Sequence, residues 1–145
     1  MQTLIPIVLI GLLSGVAVGL QSPLASMITQ RLGMLESIFI IHLGGTLLIL
    51  IPLVILRGGN LGNWRSLPWY ALAAGSMGLI VVGGVSYMIP RVGVATAITL
   101  IIAGQLVISS VLDHYGLLGV HIRPMDMQRV FGLLIVFLGA WLTVR

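Results

Sequence analysis

Five long apolar runs follow one another along the chain, and a short polar or turn-forming segment separates each run from the next. Most of these runs approach the ~20 residues that an α-helix needs to cross a bilayer. A helix is the expected form because a single span must satisfy its own backbone hydrogen bonds in lipid. The pattern therefore predicts five transmembrane helices, at residues 4–28, 36–56, 70–89, 92–112 and 130–144.

The predicted fold class is an all-α polytopic membrane protein with a single transmembrane domain over residues 1–145. The fifth run is the shortest, because residues 130–144 give only ~22 Å of helix. We therefore expect either that Arg129 and Arg145, which flank this run, extend their side chains toward the two membrane surfaces, or that the bilayer thins slightly. No internal repeat is evident along the sequence.

Composition supports a membrane protein and excludes a soluble domain. Only 7% of the 145 residues are charged and 59% are hydrophobic, whereas roughly a quarter of the residues in soluble domains are charged. The chain has no cysteine, which excludes disulfides and cysteine metal ligands. The sequence pI near 10.8 comes from arginines that stand singly between the apolar runs, a pattern typical of interfacial anchors rather than of nucleic-acid binding.

Five spans place the two termini on opposite sides of the membrane, and the arginines then divide almost evenly. One side holds Arg57, Arg65, Arg123 and Arg129, and the other holds Arg31, Arg91 and Arg145. Orientation normally follows a clear excess of Lys and Arg on the cytoplasmic side. Two interpretations follow: a fixed orientation that obeys a weak signal, or insertion in both orientations. In the second case, two inverted copies would form an antiparallel ten-helix dimer with a substrate site at the interface.

Two glycine series predict close helix packing. Gly11, Gly15 and Gly19 recur every four residues and lie along one face of the first helix. Such a face lets another helix approach closely, although it could also give a substrate access. Gly132 and Gly139 lie seven residues apart on the fifth helix, where they form one stripe that could serve as a dimer seam.

Two carboxamides mark the predicted substrate site. Gln21 lies ten residues before Arg31, which places it ~15 Å deeper in the membrane, near the midplane. Gln105 lies eight residues before Asp113 on the fourth span, ~12 Å from that end. These side chains could bridge helices by hydrogen bonds, or they could line a cavity. We predict that they line a substrate site together with Ser22.

His42 and Pro23 complete the predicted site. His42 lies about two turns into the second span, on the same helix face as Thr46. It is either a hydrogen-bonded core residue or a group that takes part in a proton-coupled step. Pro23 either breaks the first helix and turns free carbonyl groups toward a cavity, or is tolerated without consequence. We predict that His42 contributes to substrate binding and that Pro23 is a helix break.

The chain shows no sign of an enzyme. No acidic residue lies at mid-depth in any span, and no zinc-protease, nucleophile-elbow or P-loop motif is present. Asp113 and His114 have no credible nucleophile beside them. We therefore predict no catalytic residue, no metal and no cofactor.

Four segments of the chain resemble the YdcZ-like family of the drug/metabolite transporter superfamily. They are Gly-Leu-Leu-Ser-Gly at 11–15, Leu-Gln-Ser-Pro-Leu at 20–24, Ala-Gly-Gln-Leu at 103–106 and Asp-His-Tyr-Gly at 113–116. The resemblance implies a five-helix half-transporter of a bacterial inner membrane that works as a homodimer or with a paralogous partner. It also implies a distant relationship to the small multidrug resistance transporters. Those relatives use a glutamate in the first helix, whereas this chain has Ala, Val and Gly around Ala17 and then Gln21, so the export of cationic drugs does not carry over.

The function predicted from the sequence is transport. The chain is expected to be one protomer of a transporter that moves a small polar metabolite or drug-like solute by alternating access at a dimer interface. Its partners would be the lipid bilayer, a second copy or a paralogue, and the solute, but no nucleic acid. The alternative is a non-transport membrane subunit whose helices assemble with another membrane protein.

Overall fold

The computed structural model describes residues 4–144, which are helical almost throughout. No strand occurs in this part of the chain. The third span is a long helix preceded by a single short turn of helix, and together they cover Trp69–Val92. The prediction of an all-α chain with five membrane-spanning helices is therefore confirmed. The elements are α1 (Leu4–Leu32), α2 (Met34–Ile55), the short α3 (Trp69–Leu72), α4 (Ala74–Val92), α5 (Val94–Tyr115) and α6 (Met127–Val144), with 3-10 turns at Leu61–Ser66 and Leu117–Gly119.

Two of the connections between spans are single glycines. Gly33 has φ 117° and ψ 164° between α1 and α2, and Gly93 has φ 83° and ψ 167° between α4 and α5. This region of backbone space is essentially restricted to glycine. Each glycine therefore ends one helix and begins the next at once, and Arg31 and Arg91 lie within the last turn of a helix rather than in a loop.

α6 begins at Met127 rather than at the predicted Val130. Asp126 causes this earlier start, because its Oδ1 accepts a hydrogen bond of 2.8 Å from the backbone N–H of Arg129 and thereby caps the helix N-terminus. The 18 residues of α6 give ~27 Å of helix, close to the thickness of the hydrocarbon core. Arg145, the predicted anchor at the other end, lies outside the described residues.

The chain divides into two compact units, Met1–Pro90 and Arg91–Arg145. In the first unit, α1 and α2 pack against each other. The side chains that are buried on these two helices are small and lie toward the Gly33 end: Ser22, Ala25, Ser26 and Ser37. Small residues allow two helix backbones to approach closely. The Ser37 hydroxyl donates a hydrogen bond of 2.9 Å to the Ala25 carbonyl, which ties α2 to α1.

In the second unit, α5 and α6 pack against each other. Thr96 near the start of α5 donates a hydrogen bond of 2.8 Å to the carbonyl of Thr143 near the end of α6. Ala97, Ala103 and Ala140 are buried in this unit. The two helices are therefore joined firmly at the end that lies away from the loop between them.

The single-glycine connections belong to a short internal repeat that was not evident in the sequence. Arg31-Leu32-Gly33 corresponds to Arg91-Val92-Gly93, and the helix that follows each glycine has 22 residues. A buried serine lies about two turns before each glycine, namely Ser26 and Ser86. The Ser26 hydroxyl accepts a hydrogen bond of 3.2 Å from Gln30, whereas the Ser86 hydroxyl has no partner among residues 4–144. The repeat escapes sequence inspection because so few of its positions are identical.

Candidate functional site

Gln21 and Ser22 are neighbours on α1, but they have opposite environments. Ser22 is buried, and its hydroxyl donates a hydrogen bond of 2.7 Å to the Val18 carbonyl of the same helix. Gln21 is exposed, and its carboxamide has no hydrogen-bond partner within the described part of the chain. Ser22 thus contributes to the packing of α1, whereas Gln21 points away from its own unit.

Pro23 lies inside α1, which continues through it from Leu4 to Leu32. Because proline has no backbone N–H, the carbonyl of Gly19 loses its usual donor four residues along. The Gly19 carbonyl, which lies within one helical turn of Gln21, is therefore left without an intrahelical hydrogen bond. A break of the helix at Pro23 would need a conformation other than this one, and it stays a prediction.

His42 makes contact with α4 through a glycine. Its Nδ1 lies 2.8 Å from the Ile38 carbonyl. A carbonyl accepts only, so Nδ1 carries the hydrogen and Nε2 of the neutral ring keeps its lone pair. A Cβ built at Gly78 would lie 2.8 Å from that Nε2. Glycine at position 78 therefore makes room for the imidazole, a pairing that the sequence alone did not reveal.

A groove of about 350 Å³ lies beside His42 in the first unit. The Thr46 hydroxyl that contributes to it donates a hydrogen bond of 2.8 Å to the His42 carbonyl, so the threonine is satisfied by its own helix. The imidazole is then the main polar group that this groove offers to a solute. The lining residues are Leu35, Ile38, Phe39, His42, Leu43, Thr46 and Leu79.

Gln105 lies on α5, in the second unit, where it is exposed. Like Gln21, its carboxamide has no hydrogen-bond partner among residues 4–144. Within this part of the chain, no hydrogen bond joins any two of the four predicted substrate-binding side chains, Gln21, Ser22, His42 and Gln105. Their convergence on one site stays a prediction.

The glycines predicted to pack helices present open surfaces in the single chain. A Cβ added at any of them would meet no heavy atom within 4 Å outside the neighbouring backbone: Gly11, Gly15, Gly19, Gly132 and Gly139. Helix packing at these positions therefore stays a prediction.

The sequence profile of one protein family, described as "Putative inner membrane exporter, YdcZ", matches residues 6–142. The chain belongs to this family. No curated protein and no solved structure matches it. The resemblance predicted from four short segments is thereby confirmed over nearly the whole chain. As a YdcZ-family member with five helices long and apolar enough to cross a bilayer, it is a multi-pass inner membrane protein.

The Asp-His-Tyr-Gly segment at 113–116 has a structural role in this chain. It ends α5, and the Asp113 carbonyl accepts a hydrogen bond of 2.8 Å from the backbone N–H of Arg123. His114 Nδ1 accepts a second hydrogen bond, of 3.0 Å, from the backbone N–H of Met125. These two bonds hold the loop that leads to α6 against the end of α5.

Arg129 connects the same loop to α6. Its Nη1 donates a hydrogen bond of 3.1 Å to the Arg123 carbonyl and lies 3.7 Å from Asp113 Oδ2. The sequence indicated only separate interfacial charges here, because Asp113 and Arg129 are far apart along the chain. The signal that could have predicted this contact is a pair of opposite charges, one at the end of the helix before a short loop and one at the start of the helix after it.

Proposed function

We propose that this YdcZ-family chain is one half of an exporter for a small polar metabolite or drug-like solute. Two copies, inserted in opposite orientations, would form the transport pathway at their interface and expose the solute to each side in turn. The family description supports export as the general activity. The observation that carries the dimeric part is the exposed, unpartnered carboxamide of Gln21 at mid-span.

Gln21 is expensive to leave in contact with lipid. An amide moved from water into hydrocarbon without a hydrogen-bond partner costs about 4–8 kcal/mol. Gln21 and Gln105 both present such groups on the outside of their units. A second chain, water in a central pathway, or the solute itself would supply the missing partners.

The first half of α1 offers the surface for a second chain. The most N-terminal buried residue of α1 is Ser22, and the residues from Leu4 to Gln21 are exposed except for the half-buried Gly19. Gly11, Gly15 and Gly19 follow one another along this stretch and leave space for a close helix contact. The nearly even division of arginines between the two sides favours an inverted partner, and inverted repeats place a substrate site near the midplane.

The side chains assigned to the site favour a neutral or zwitterionic solute. Carboxamides both donate and accept hydrogen bonds without carrying charge. His42 Nε2 adds one further acceptor. A strong cation would find no carboxylate at mid-depth to balance its charge, since Glu36, Asp113 and Asp126 all lie near span ends.

The orientation test uses the absence of cysteine from the sequence. Asn60→Cys places one thiol in the exposed loop between the second and third spans. A membrane-impermeant thiol reagent should then label about half of the chains in intact cells if both orientations occur. Ala103→Cys, at a buried position inside α5, is the unreactive control. Complete labelling or complete protection of Asn60→Cys would contradict the inverted pair.

The transport test compares three carboxamides in reconstituted vesicles loaded with a panel of radiolabelled polar solutes. Gln21→Ala and Gln105→Ala should each slow the export of the transported solute by about tenfold or more, since each removes a partner worth ~1–2 kcal/mol. Asn60→Ala, which removes a carboxamide from the exposed loop, should leave export unchanged. Equal rates in all variants would refute the site, and an absence of flux for the unmodified chain would favour the non-transport subunit.

A further inference from the structure

α5 and α6 enclose a groove of about 380 Å³ within the second unit. We refer to it as the α5–α6 groove. It is separate from the predicted substrate residues, none of which lines it. Its lining residues are Leu106, Ser109, Ser110, Asp113, Arg129, Gly132, Leu133 and Val136.

The α5–α6 groove has a polar end and an apolar end. Asp113 lies in the last turn of α5 and Arg129 in the first turn of α6, so both charges lie at the membrane surface. Leu106 and Val136 lie seven residues further into their helices, ~10 Å deeper in the bilayer. The groove thus passes from headgroup depth into acyl-chain depth, and its polarity changes in the same direction as that of a lipid molecule.

Gly132 lines the groove without a side chain of its own. A Cβ added there would meet no heavy atom within 4 Å. A larger residue at position 132 would therefore occupy open space beside the groove. The volume lies in the ~300–1,000 Å³ range of small-molecule sites.

The charges at the polar end are only partly satisfied by each other. Asp113 Oδ2 and Arg129 Nη1 are 3.7 Å apart, beyond a good hydrogen bond, and the side chains are 39% and 37% exposed. Arg129 carries five N–H donors, and its side chain makes one hydrogen bond, to the Arg123 carbonyl. The hydroxyl of Ser109 has no partner among residues 4–144. One cation, one anion and a free hydroxyl therefore face the same opening.

We propose that the α5–α6 groove binds one zwitterionic aminophospholipid of the phosphatidylethanolamine type. Its phosphate contacts Arg129 and Ser109, its ammonium group contacts Asp113, and one acyl chain follows the wall formed by Gly132, Leu133 and Val136. Charge complementarity selects this occupant. An anionic lipid leaves its charge facing the Asp113 carboxylate, and a protein helix over the opening would remove water from both charges without supplying partners.

The test is lipid titration of the delipidated full-length chain in detergent, followed by native mass spectrometry. Phosphatidylethanolamine should bind as one saturable molecule per chain. It should bind about tenfold more tightly than phosphatidylglycerol, which has no cationic group and so cannot donate a charged hydrogen bond to Asp113. Phosphatidylcholine, whose cation has no N–H donor, should bind more weakly than phosphatidylethanolamine as well.

Three variants distinguish the contributions of Asp113, Arg129 and Gly132 to lipid binding. Asp113→Asn should lower phosphatidylethanolamine affinity by about tenfold while phosphatidylglycerol binding is kept or improved. Arg129→Gln should weaken both lipids, and Gly132→Leu should displace both by filling the groove. Arg123→Gln is the matched charge control, because only the backbone groups of Arg123 take part in the network, and it should change neither affinity.

Retained phosphatidylglycerol binding shows that Asp113→Asn is folded, and thermal unfolding in lipid-free micelles checks the other variants. An unchanged preference for phosphatidylethanolamine in Asp113→Asn would overturn the proposal. So would a full complement of bound lipid in a folded Gly132→Leu chain. The Asp113→Asn result does not bear on transport, since Asp113 is neither a predicted substrate residue nor a predicted helix-packing residue.

Discussion

The α1–α2 pair makes its close contacts beside its connection, whereas the α5–α6 pair is joined at the end away from its connection. α1 and α2 are joined by Gly33 alone, and their buried side chains lie near that junction. α5 and α6 are joined by the longer loop from 116 to 126, and their hydrogen bond between Thr96 and Thr143 lies at the far end. A one-residue connection forces contact at the junction, whereas a longer loop lets the helices separate there and form a groove.

The two helix pairs also differ in where their polar side chains lie. In the α1–α2 pair, serine hydroxyls lie inside the contact, and Ser37 donates to a carbonyl of the other helix. In the α5–α6 pair, Thr96 is the one buried hydroxyl among the described residues, the other buried positions are Ala97, Ala103 and Ala140, and the charged groups collect at the open end. One pair is therefore organised around packing, and the other offers polar groups to something outside the chain.

The largest effect on stability is expected from a bulky side chain placed inside the α1–α2 contact. Ser37 is fully buried, so Ser37→Leu must push α2 away from α1 and should destabilise the chain by about 3 kcal/mol. Gly132→Leu adds a side chain at the open pair instead and should change stability by less than about 1 kcal/mol, partly because leucine favours helix over glycine. Unfolding in mixed detergent micelles measures both.

If Ser37→Leu were as stable as the unmodified chain, the α1–α2 contact would not be the close packing described above. A large loss in Gly132→Leu would show that α6 has no free space at this position.

A smaller effect is expected at the single-glycine connection. Gly33→Ala should cost about 1–3 kcal/mol, because a residue with a Cβ is strained at this backbone conformation and the added carbon would also displace the Glu36 carboxylate. Gly93→Ala should cost a similar amount, since the two connections share their geometry. Gly75→Ala, within α4 and in open space, is the control and should be neutral or slightly stabilising. Equal unfolding midpoints for Gly33→Ala and Gly75→Ala would contradict the role of the junction.

The smallest effect on stability is expected from the removal of single interhelical hydrogen bonds. Ser37→Ala and Thr96→Val each remove one bond to a carbonyl of the other helix, and such bonds contribute ~0.6–1 kcal/mol in membranes. Thr99→Val removes a bond to the Ala95 carbonyl of its own helix, so it should cost less. The comparison fails if Thr99→Val proves the most damaging of the three in the same unfolding assay.

The spans could be predicted from the sequence because the apolar runs are long and interrupted. Their ends could not, and Arg31 illustrates the reason. An arginine at the membrane surface fits a loop and the last turn of a helix equally well. The deciding feature is the backbone conformation of Gly33, which no hydropathy pattern reveals.

The candidate site was harder to predict for a reason specific to membranes. Lipid is as apolar as a protein interior, so an apolar pattern does not distinguish the face of α1 that packs on protein from the face that meets lipid. Gln21 and Ser22 therefore looked equivalent in the sequence, yet one is exposed and the other buried. The contact between Asp113 and Arg129 also depends on how the intervening loop folds back.

The connection at Gly33 has a consequence for biosynthesis. A polar loop normally stays in water while the first of two helices crosses into lipid, but one residue leaves no such loop. We therefore expect α1 and α2 to enter the bilayer together, as one helical hairpin.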